Sequence, residues 1–210
     1  MDMYYSKLRA NARESLRGNW LMAIGLFVVA SILFGAPDFI LNPDQYEFTW
    51  KDPVILVLSI LLLPLAIGMV WAWVDLSRGG KISFAHLIEP YKTMFGKSIL
   101  VSVLQGLFLF FWTLLFIVPG IIKSFSYMLT YHILRDEPEL SPLQAITKSR
   151  RMMNGHKAEA LVLGLSFIGW MLLGVVTLFI GFLWIAPYMS VTYAHFYNTL
   201  RAEYAEKSAF

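Results

Sequence analysis

Four stretches of this chain, 18–37, 53–74, 98–122 and 160–200, contain no Asp, Glu, Lys or Arg. About 20 helical residues cross the roughly 30 Å hydrocarbon layer of a bilayer, so each run is long enough to do so. The last has 41 residues. As one helix it would be about 60 Å long, so it must fold back as a hairpin. Charged residues make up 15% of the chain, against about 25% in soluble domains. The pattern predicts an all-α fold, a polytopic membrane helical bundle with residues 1–210 as a single integral membrane domain.

Six transmembrane helices account for the runs: 19–37, 54–76, 97–118, 120–135, 158–177 and 180–200. Pro119-Gly120 marks the turn between the third and fourth, and 177–181 the turn between the fifth and sixth. The fourth is short and carries Lys123, so it reads as a span or as a re-entrant segment. Counting charges orients the set. Of the 17 Lys and Arg residues, 15 fall on the side holding both termini and the 77–97 and 136–157 loops. Only Lys51 lies opposite, in a 38–52 loop with Asp38, Asp44, Glu47 and Asp52, and Lys123 lies inside a span. The positive-inside rule makes the basic side cytoplasmic. The chain is thus expected in a bacterial plasma membrane with both termini inside. The basic lead before Trp20 has no A-x-A-like cleavage site after Phe34 and reads as an uncleaved signal anchor.

A basic amphipathic stretch, a Gly and an apolar hairpin with one internal Pro recur three times, in units of about 4–76, 83–135 and 141–200. The stretches start at Ser6, Ser83 and Ser141 and reach turn-marking Gly18, Gly96 and Gly155. The hairpins carry Pro64, Pro119 and Pro187. In the first stretch, Tyr5, Leu8, Ala12 and Leu16 share a helical face, with Lys7, Arg9, Arg13 and Arg17 around it. The second offers Phe84, Leu87, Ile88, Tyr91, Met94 and Phe95. In the third, Ser141-Pro142 forms an N-cap and first turn. Leu143, Ile146 and Met153 follow beside Lys148, Arg150 and Arg151. Such helices lie in the membrane interface with cations toward anionic headgroups. Arg9, Arg13, Arg17, Lys148, Arg150 and Arg151 are the candidate lipid-headgroup contacts.

Lys123 is the one formal charge deep in an apolar run. A charge at the membrane centre costs roughly 2.5–3.5 kcal/mol on insertion scales. It reads either as an anchor snorkelling to the outer headgroups or as part of a polar intramembrane site with Gln105, Ser124, Tyr127 and Tyr131. Ser126 and Thr130 extend the same stripe. Trp20, Trp50, Trp71 and Trp73 suit interface anchoring, and Trp112 and Trp170 look like packing residues. Asp75 and Glu159 read as solvated caps at span edges.

The chain has no Cys, which removes disulfides and thiolate chemistry. His86, His132, His156 and His195 have no partner at metal-ligand spacing, so no metal and no cofactor are expected. The metalloprotease motif, the nucleophile elbow and the P-loop are missing, and no catalytic residue is assigned. The net charge of +3 calls for no nucleic-acid partner.

The stretch Trp112-Thr-Leu-Leu-Phe-Ile-Val-Pro-Gly-Ile-Ile-Lys-Ser-Phe-Ser-Tyr127 resembles a known family. So do Ser149-Arg-Arg-Met-Met-Asn-Gly155, Leu165-Ser-Phe-Ile-Gly-Trp170 and Gly181-Phe-Leu-Trp-Ile-Ala-Pro-Tyr188. Asp75-Leu-Ser-Arg-Gly-Gly-Lys-Ile-Ser-Phe84 and Ala194-His-Phe-Tyr197 fit the same pattern. Together they are similar to an integral-membrane family of Gram-positive bacteria, domain of unknown function 975. The resemblance implies a multi-pass bacterial membrane protein and brings no activity or catalytic residue. The leading expectation is a non-enzymatic protein acting on membrane lipids of the anionic inner leaflet, or on a membrane-protein partner or a second copy of itself. The alternative is a small-solute transporter or permease subunit whose path runs along Lys123–Tyr131 and Gln105.

Overall fold

The computed structural model describes residues 2–41 and 51–208. Among these residues there are eleven helices and no strand. A short amphipathic helix, α1 (Asp2–Leu16), precedes the pair α2 (Trp20–Leu41) and α3 (Lys51–Ser77). Next, α4 (Ala85–Thr93) precedes α5 (Phe95–Leu115), which returns through α6 (Ile117–Tyr127) and α7 (Thr130–Asp136). Last, α8 (Pro142–Met152) precedes α9 (Lys157–Leu165) and α10 (Ile168–Val176), which return through α11 (Phe182–Ser208). The acidic part of the expected outer loop, Asp44 and Glu47, lies outside the described residues, as does Trp50.

Four helices are long and apolar enough to cross a membrane: Trp20–Leu41, Lys51–Ser77, Phe95–Leu115 and Lys157–Val176, the last with a turn at 166–167 that separates α9 from α10. They correspond to the first, second, third and fifth expected spans. The expected fourth is divided into pieces of 11 and 7 residues. The expected sixth is part of α11, where Tyr188, Thr192, Tyr193 and His195 dilute the apolar character. Pro119-Gly120 is also not the turn. The chain reverses at Phe116, which is extended (φ −158°, ψ 142°). Pro119 then sits in the first turn of α6, where its missing N–H leaves no bond unmade. Gly120 lies where a Cβ would meet Thr113 Oγ1 at 2.4 Å, so it lets the two legs close.

Burial is concentrated at one end of the hairpins. On α3, Ile67, Trp71, Ala72, Trp73, Val74 and Leu76 are buried, whereas Val54, Leu56, Val57 and Leu58 are exposed. The same gradient runs from exposed Ile121 and Ile122 to buried Leu129, Ile133 and Leu134. On α11 it runs from exposed Trp184 to buried Phe196, Tyr197 and Leu200. The hairpin tips therefore present large apolar side chains outward, which water would not tolerate as a contiguous surface and lipid would. Trp71 and Trp73 are core residues rather than interface anchors, while Trp112 and Trp170 are the partly exposed ones. Periodicity identifies an apolar position but not which phase covers it.

The amphipathic helices show the same ambiguity resolved. Tyr5, Leu8, Ala12 and Leu16 do form one face of α1, and all four are buried against protein, chiefly α11. In α8 the Ser141–Gln144 capping box is present, and Ala145, Ile146 and Met152 are buried. Met153, just past its end, is buried too, whereas Leu143 is exposed. On α4, Leu87 is buried while Ile88, and Phe84 just before the helix, are exposed. Its backbone lies directly on α3, where a Cβ on Gly68 would fall 2.2 Å from the His86 carbonyl oxygen. Gly18 and Gly155 have positive φ, as turn residues should. Gly96 instead lies inside α5, and the third glycine with positive φ among the described residues is Gly79, which precedes the second unit.

The interruption between α6 and α7 is closed by a side chain from α8. Buried Ser149 donates from Oγ to the Ser126 carbonyl (2.8 Å) and accepts from the Leu129 N–H (3.2 Å). Both backbone groups lose their helical partners at the break and would otherwise be orphaned. Leaving a buried polar group unpaired costs about 1–3 kcal/mol. Ser149→Ala is therefore expected to destabilise the protein by about 2 kcal/mol, with Ser149→Thr recovering part of the loss. Thermal unfolding of the detergent-solubilised protein checks this, and an unchanged midpoint in the alanine variant would contradict it.

Candidate functional site

The second legs of the three hairpins end together in a charged layer. Arg135, in the last turn of α7, donates to both oxygens of Asp75 on α3 (Nε–Oδ1 3.1 Å, Nη2–Oδ2 2.5 Å) and to Glu89 on α4 (2.5 Å). The guanidinium lies 5.1 Å from the centre of the Trp71 ring. His86 Nε2 is 3.2 Å from Asp75 Oδ2, so Asp75 is not the solvated cap that its place at a span edge implies. The neighbouring Asp136 carboxylate accepts two bonds from Arg78 (2.6 and 2.9 Å) and one from the Tyr197 hydroxyl (2.6 Å), with Arg201 Nε at 3.1 Å. Burial pushes the Asp136 carboxyl up, but the bonds from Arg78 and Tyr197 and the nearby Arg201 charge outweigh it, holding its pKa below the usual carboxylate value. His86 moves the other way: its hydrogen bond with Asp75 raises its pKa above the ordinary 6.5, against the opposing effect of burial.

A second polar feature lies where α6, α8 and α9 meet. There an open cleft of about 450 Å³ is lined by Lys123, Arg150, Arg151 and Lys157. Ser126, Thr147 and Asn154 complete it, and no carboxylate lines it. Lys123 Nζ lies 4.4 Å from the centre of the Trp112 ring, which holds the ammonium by a cation–π contact. Lys123 therefore shares a cleft with the basic helix α8. That corrects its reading as an anchor at the opposite end of a full span. The correction follows from the early reversal at Phe116, which brings α6 back to α8 within two turns.

The other expected intramembrane residues do not join it. Gln105, Ser124, Tyr127 and Tyr131 are all absent from the cleft lining. Ser124 Oγ bonds back to the Ile121 carbonyl, and the Tyr131 hydroxyl donates to Ser102 Oγ (3.0 Å). Tyr127 packs in the core, and the Gln105 Oε1 is buried without a hydrogen-bond partner among the described residues. The candidate headgroup cations also separate. Arg150 and Arg151 line the cleft, and Arg17 is exposed. Lys148 is paired with Glu137. Arg9 and Arg13 reach across to the Ser166 carbonyl (3.4 Å) and the Tyr188 hydroxyl (3.0 Å). Lys157 had no distinguishing mark in the sequence beyond its charge, and the Asp75–Arg135 and Arg78–Asp136 pairs join residues about 60 positions apart. No group of three or more His, Asp or Glu side chains fit to hold an ion occurs among the described residues.

Residues 115–204 match the model of the family described as Protein of unknown function (DUF975). Over those residues, somewhat less than half of its length, the chain is similar to that family. The matched segment runs from the tip of the α5–α6 hairpin to α11. It contains the four cations of the cleft, Ser149, Arg135, Asp136 and Tyr197, and leaves α1 to α4 outside. No curated protein and no solved structure matches the chain. The four long apolar helices are consistent with a membrane protein.

Two outcomes follow for the charged layer. Asp136→Asn removes the charge that faces Arg78 and Arg201. The expected loss is about 2 kcal/mol, below the 3–5 of a fully buried pair because both arginines reach solvent. Chemical or thermal unfolding of the variant measures it, and a loss under about 0.5 kcal/mol would mean that the pairs contribute nothing. His86 faces Asp75 on α3, Arg135 on α7 and Glu89 on its own helix. Its folded-state pKa is raised, so its contribution is complete below 6.5 and is lost as pH rises through the higher folded value. The unfolding midpoint should fall over that interval, and His86→Gln should flatten this part of the profile.

Proposed function

We propose that this is a non-enzymatic bacterial plasma-membrane protein that acts by contact with anionic lipid through a basic face. The observation that carries the reading is the division of charge. Asp75, Glu89, Asp136 and Glu137 are all engaged by Arg78, Arg135, Lys148 or Arg201. Arg150, Arg151 and Lys157 have no carboxylate partner among the described residues, and they line a cleft open to the outside. Unpaired cations above an exposed apolar surface are what an anionic headgroup layer recognises.

A threefold repeat is part of this reading, and its support is the order of packing. The amphipathic helix that follows a hairpin lies on that hairpin's second leg: α4 on α3, and α8 on α6 and α7. Helix α1 takes the equivalent place on α11, so the first unit closes on the last. On this reading both termini, α4 and α8 share one end. With 15 of 17 basic residues assigned to that side by the sequence, the positive-inside rule makes it cytoplasmic. Six crossings fit this scheme if α6–α7 and the first half of α11 reach the far side. A transport path along Lys123, Ser124, Tyr127, Tyr131 and Gln105 has less support, because these side chains do not line one cavity.

The test is extraction of the protein from its native membrane in polymer-bounded nanodiscs. The expected result is at least a threefold enrichment of anionic over zwitterionic lipid, relative to bulk membrane, falling toward bulk when Arg13, Arg17, Arg150 and Arg151 are changed together to Gln. Bulk lipid composition around the unaltered protein would sink the reading.

A further inference from the structure

The cleft between α6, α8 and α9 gathers four cations from three separate elements. Lys123 comes from α6, which has no other charge, Arg150 and Arg151 from the last turn of α8, and Lys157 from the first turn of α9. Like charges converging on one volume repel one another, and the sequence supplies no carboxylate there to offset them. The contrast with the neighbouring pair is direct: Lys148, one turn back along α8, has Glu137. Arg151 lines the cleft and also borders an adjoining depression that holds the Glu137–Lys148 pair. The uncharged members add hydrogen-bonding capacity, with the Thr147 hydroxyl and the Asn154 side-chain amide both on the lining. A volume of about 450 Å³ falls within the roughly 300–1,000 Å³ of small-molecule sites.

From this placement we infer that the cleft binds a phosphate monoester, the chemistry shared by a phosphatidate headgroup and a soluble phosphorylated compound. Two arginine forks offer paired N–H donors to phosphate oxygens, and two lysines add point charges. A phosphate monoester carries close to two negative charges near neutral pH and so matches an excess of cations better than a singly charged diester does. The surroundings favour the lipid-borne form. Ile121 and Ile122 on α6 and Leu161, Val162 and Leu165 on α9 are exposed within about two turns of the cations. The two helices pack against each other, so they provide an apolar flank for acyl chains beside the charged pocket. This choice of source rests on the lipid reading above, whereas the phosphate chemistry does not.

The experiment uses the full-length protein in an uncharged detergent, titrated calorimetrically with dioctanoyl phosphatidate, dioctanoyl phosphatidylcholine and glycerol 3-phosphate. Phosphatidate is expected to bind at least tenfold more tightly than phosphatidylcholine, and more weakly as salt is raised. Lys123→Met and Arg150→Gln should each weaken phosphatidate about tenfold (~1.4 kcal/mol) and leave phosphatidylcholine unchanged, while Lys123→Arg keeps the affinity. Arg150 is exposed, so its variant remains informative if Lys123→Met fails to fold. If glycerol 3-phosphate binds as tightly as phosphatidate and both respond to the two variants, the phosphate site stands and the lipid reading falls. If phosphatidate affinity ignores the cleft variants and is lost when Arg9, Arg13 and Arg17 are neutralised, the lipid reading stands and the cleft assignment is overturned. No preference for phosphatidate over phosphatidylcholine would overturn both.

Discussion

The Asp75 and Asp136 carboxylates hold the architecture together. In lipid, apolar helices gain little by touching one another, because the hydrocarbon is as apolar as they are. Three hairpins with exposed apolar tips therefore need a different reason to stay side by side. The charged layer supplies it at the ends of the second legs. Asp75 on α3 takes Arg135 from α7 and His86 from the segment after α3. Asp136, one residue beyond Arg135, takes Arg78 from just past α3 and Tyr197 and Arg201 from α11. Each hairpin is tied to another by a bond that competes poorly for water, and the buried core lies directly beneath.

That layer also explains why the cleft is basic. Carboxylates committed to Arg78, Arg135, Lys148 and Arg201 are not available elsewhere. The chain has only 14 Asp and Glu residues for 17 Lys and Arg, and the surplus is not spread evenly. Four cations meet where α8 ends and α9 begins, with Lys123 opposite the other three. The short return leg α6 is what delivers Lys123 there, and Ser149 fixes its register by bridging the break behind it. Packing and electrostatics are thus one arrangement in this part of the molecule: the serine that closes the backbone gap is adjacent in sequence to the arginines of the cleft.

Much of the local structure was legible in the residues. The uncharged runs mark the long helices, the 3-4-4 spacing of Tyr5, Leu8, Ala12 and Leu16 marks the buried face of α1, and Ser141-Pro142 marks the start of α8. What could not be read was the identity of the medium on the other side of an apolar face. Trp71 and Trp73 look like interface anchors by position, yet protein covers them. The faces of α1 and α8 look lipid-facing by charge pattern, yet helices cover them. Nor could pairing at long range be read: Asp75 and Glu89 meet Arg135 only after α3, α4 and α7 are assembled. Pro119-Gly120 is the instructive miss, since a breaker pair serves equally well as a turn or as the first turn of the helix that follows it.

The sidedness of the protein does not depend on how deeply each hairpin reaches. Every hairpin begins beside an amphipathic helix and ends in, or beside, the shared charged layer. The ends of α3 and α7 and the Tyr197–Arg201 stretch of α11 are within ion-pair or hydrogen-bond reach of one another there. A hairpin that crosses the bilayer and one that turns back inside it both return to the side they left. On the reading proposed above, the termini, α4, α8 and the cleft share a face whether six segments cross or fewer. What depth decides is the level of Lys123. About seven residues separate it from the reversal at Phe116, or roughly 10 Å of helix at 1.5 Å per residue. If the cleft sits at headgroup level, the α5–α6 tip then reaches into one leaflet of a roughly 30 Å hydrocarbon layer and stops short of the other. A phosphate-bearing lipid in the cleft would occupy that same leaflet, with its chains lying along the legs of the hairpin that holds its headgroup.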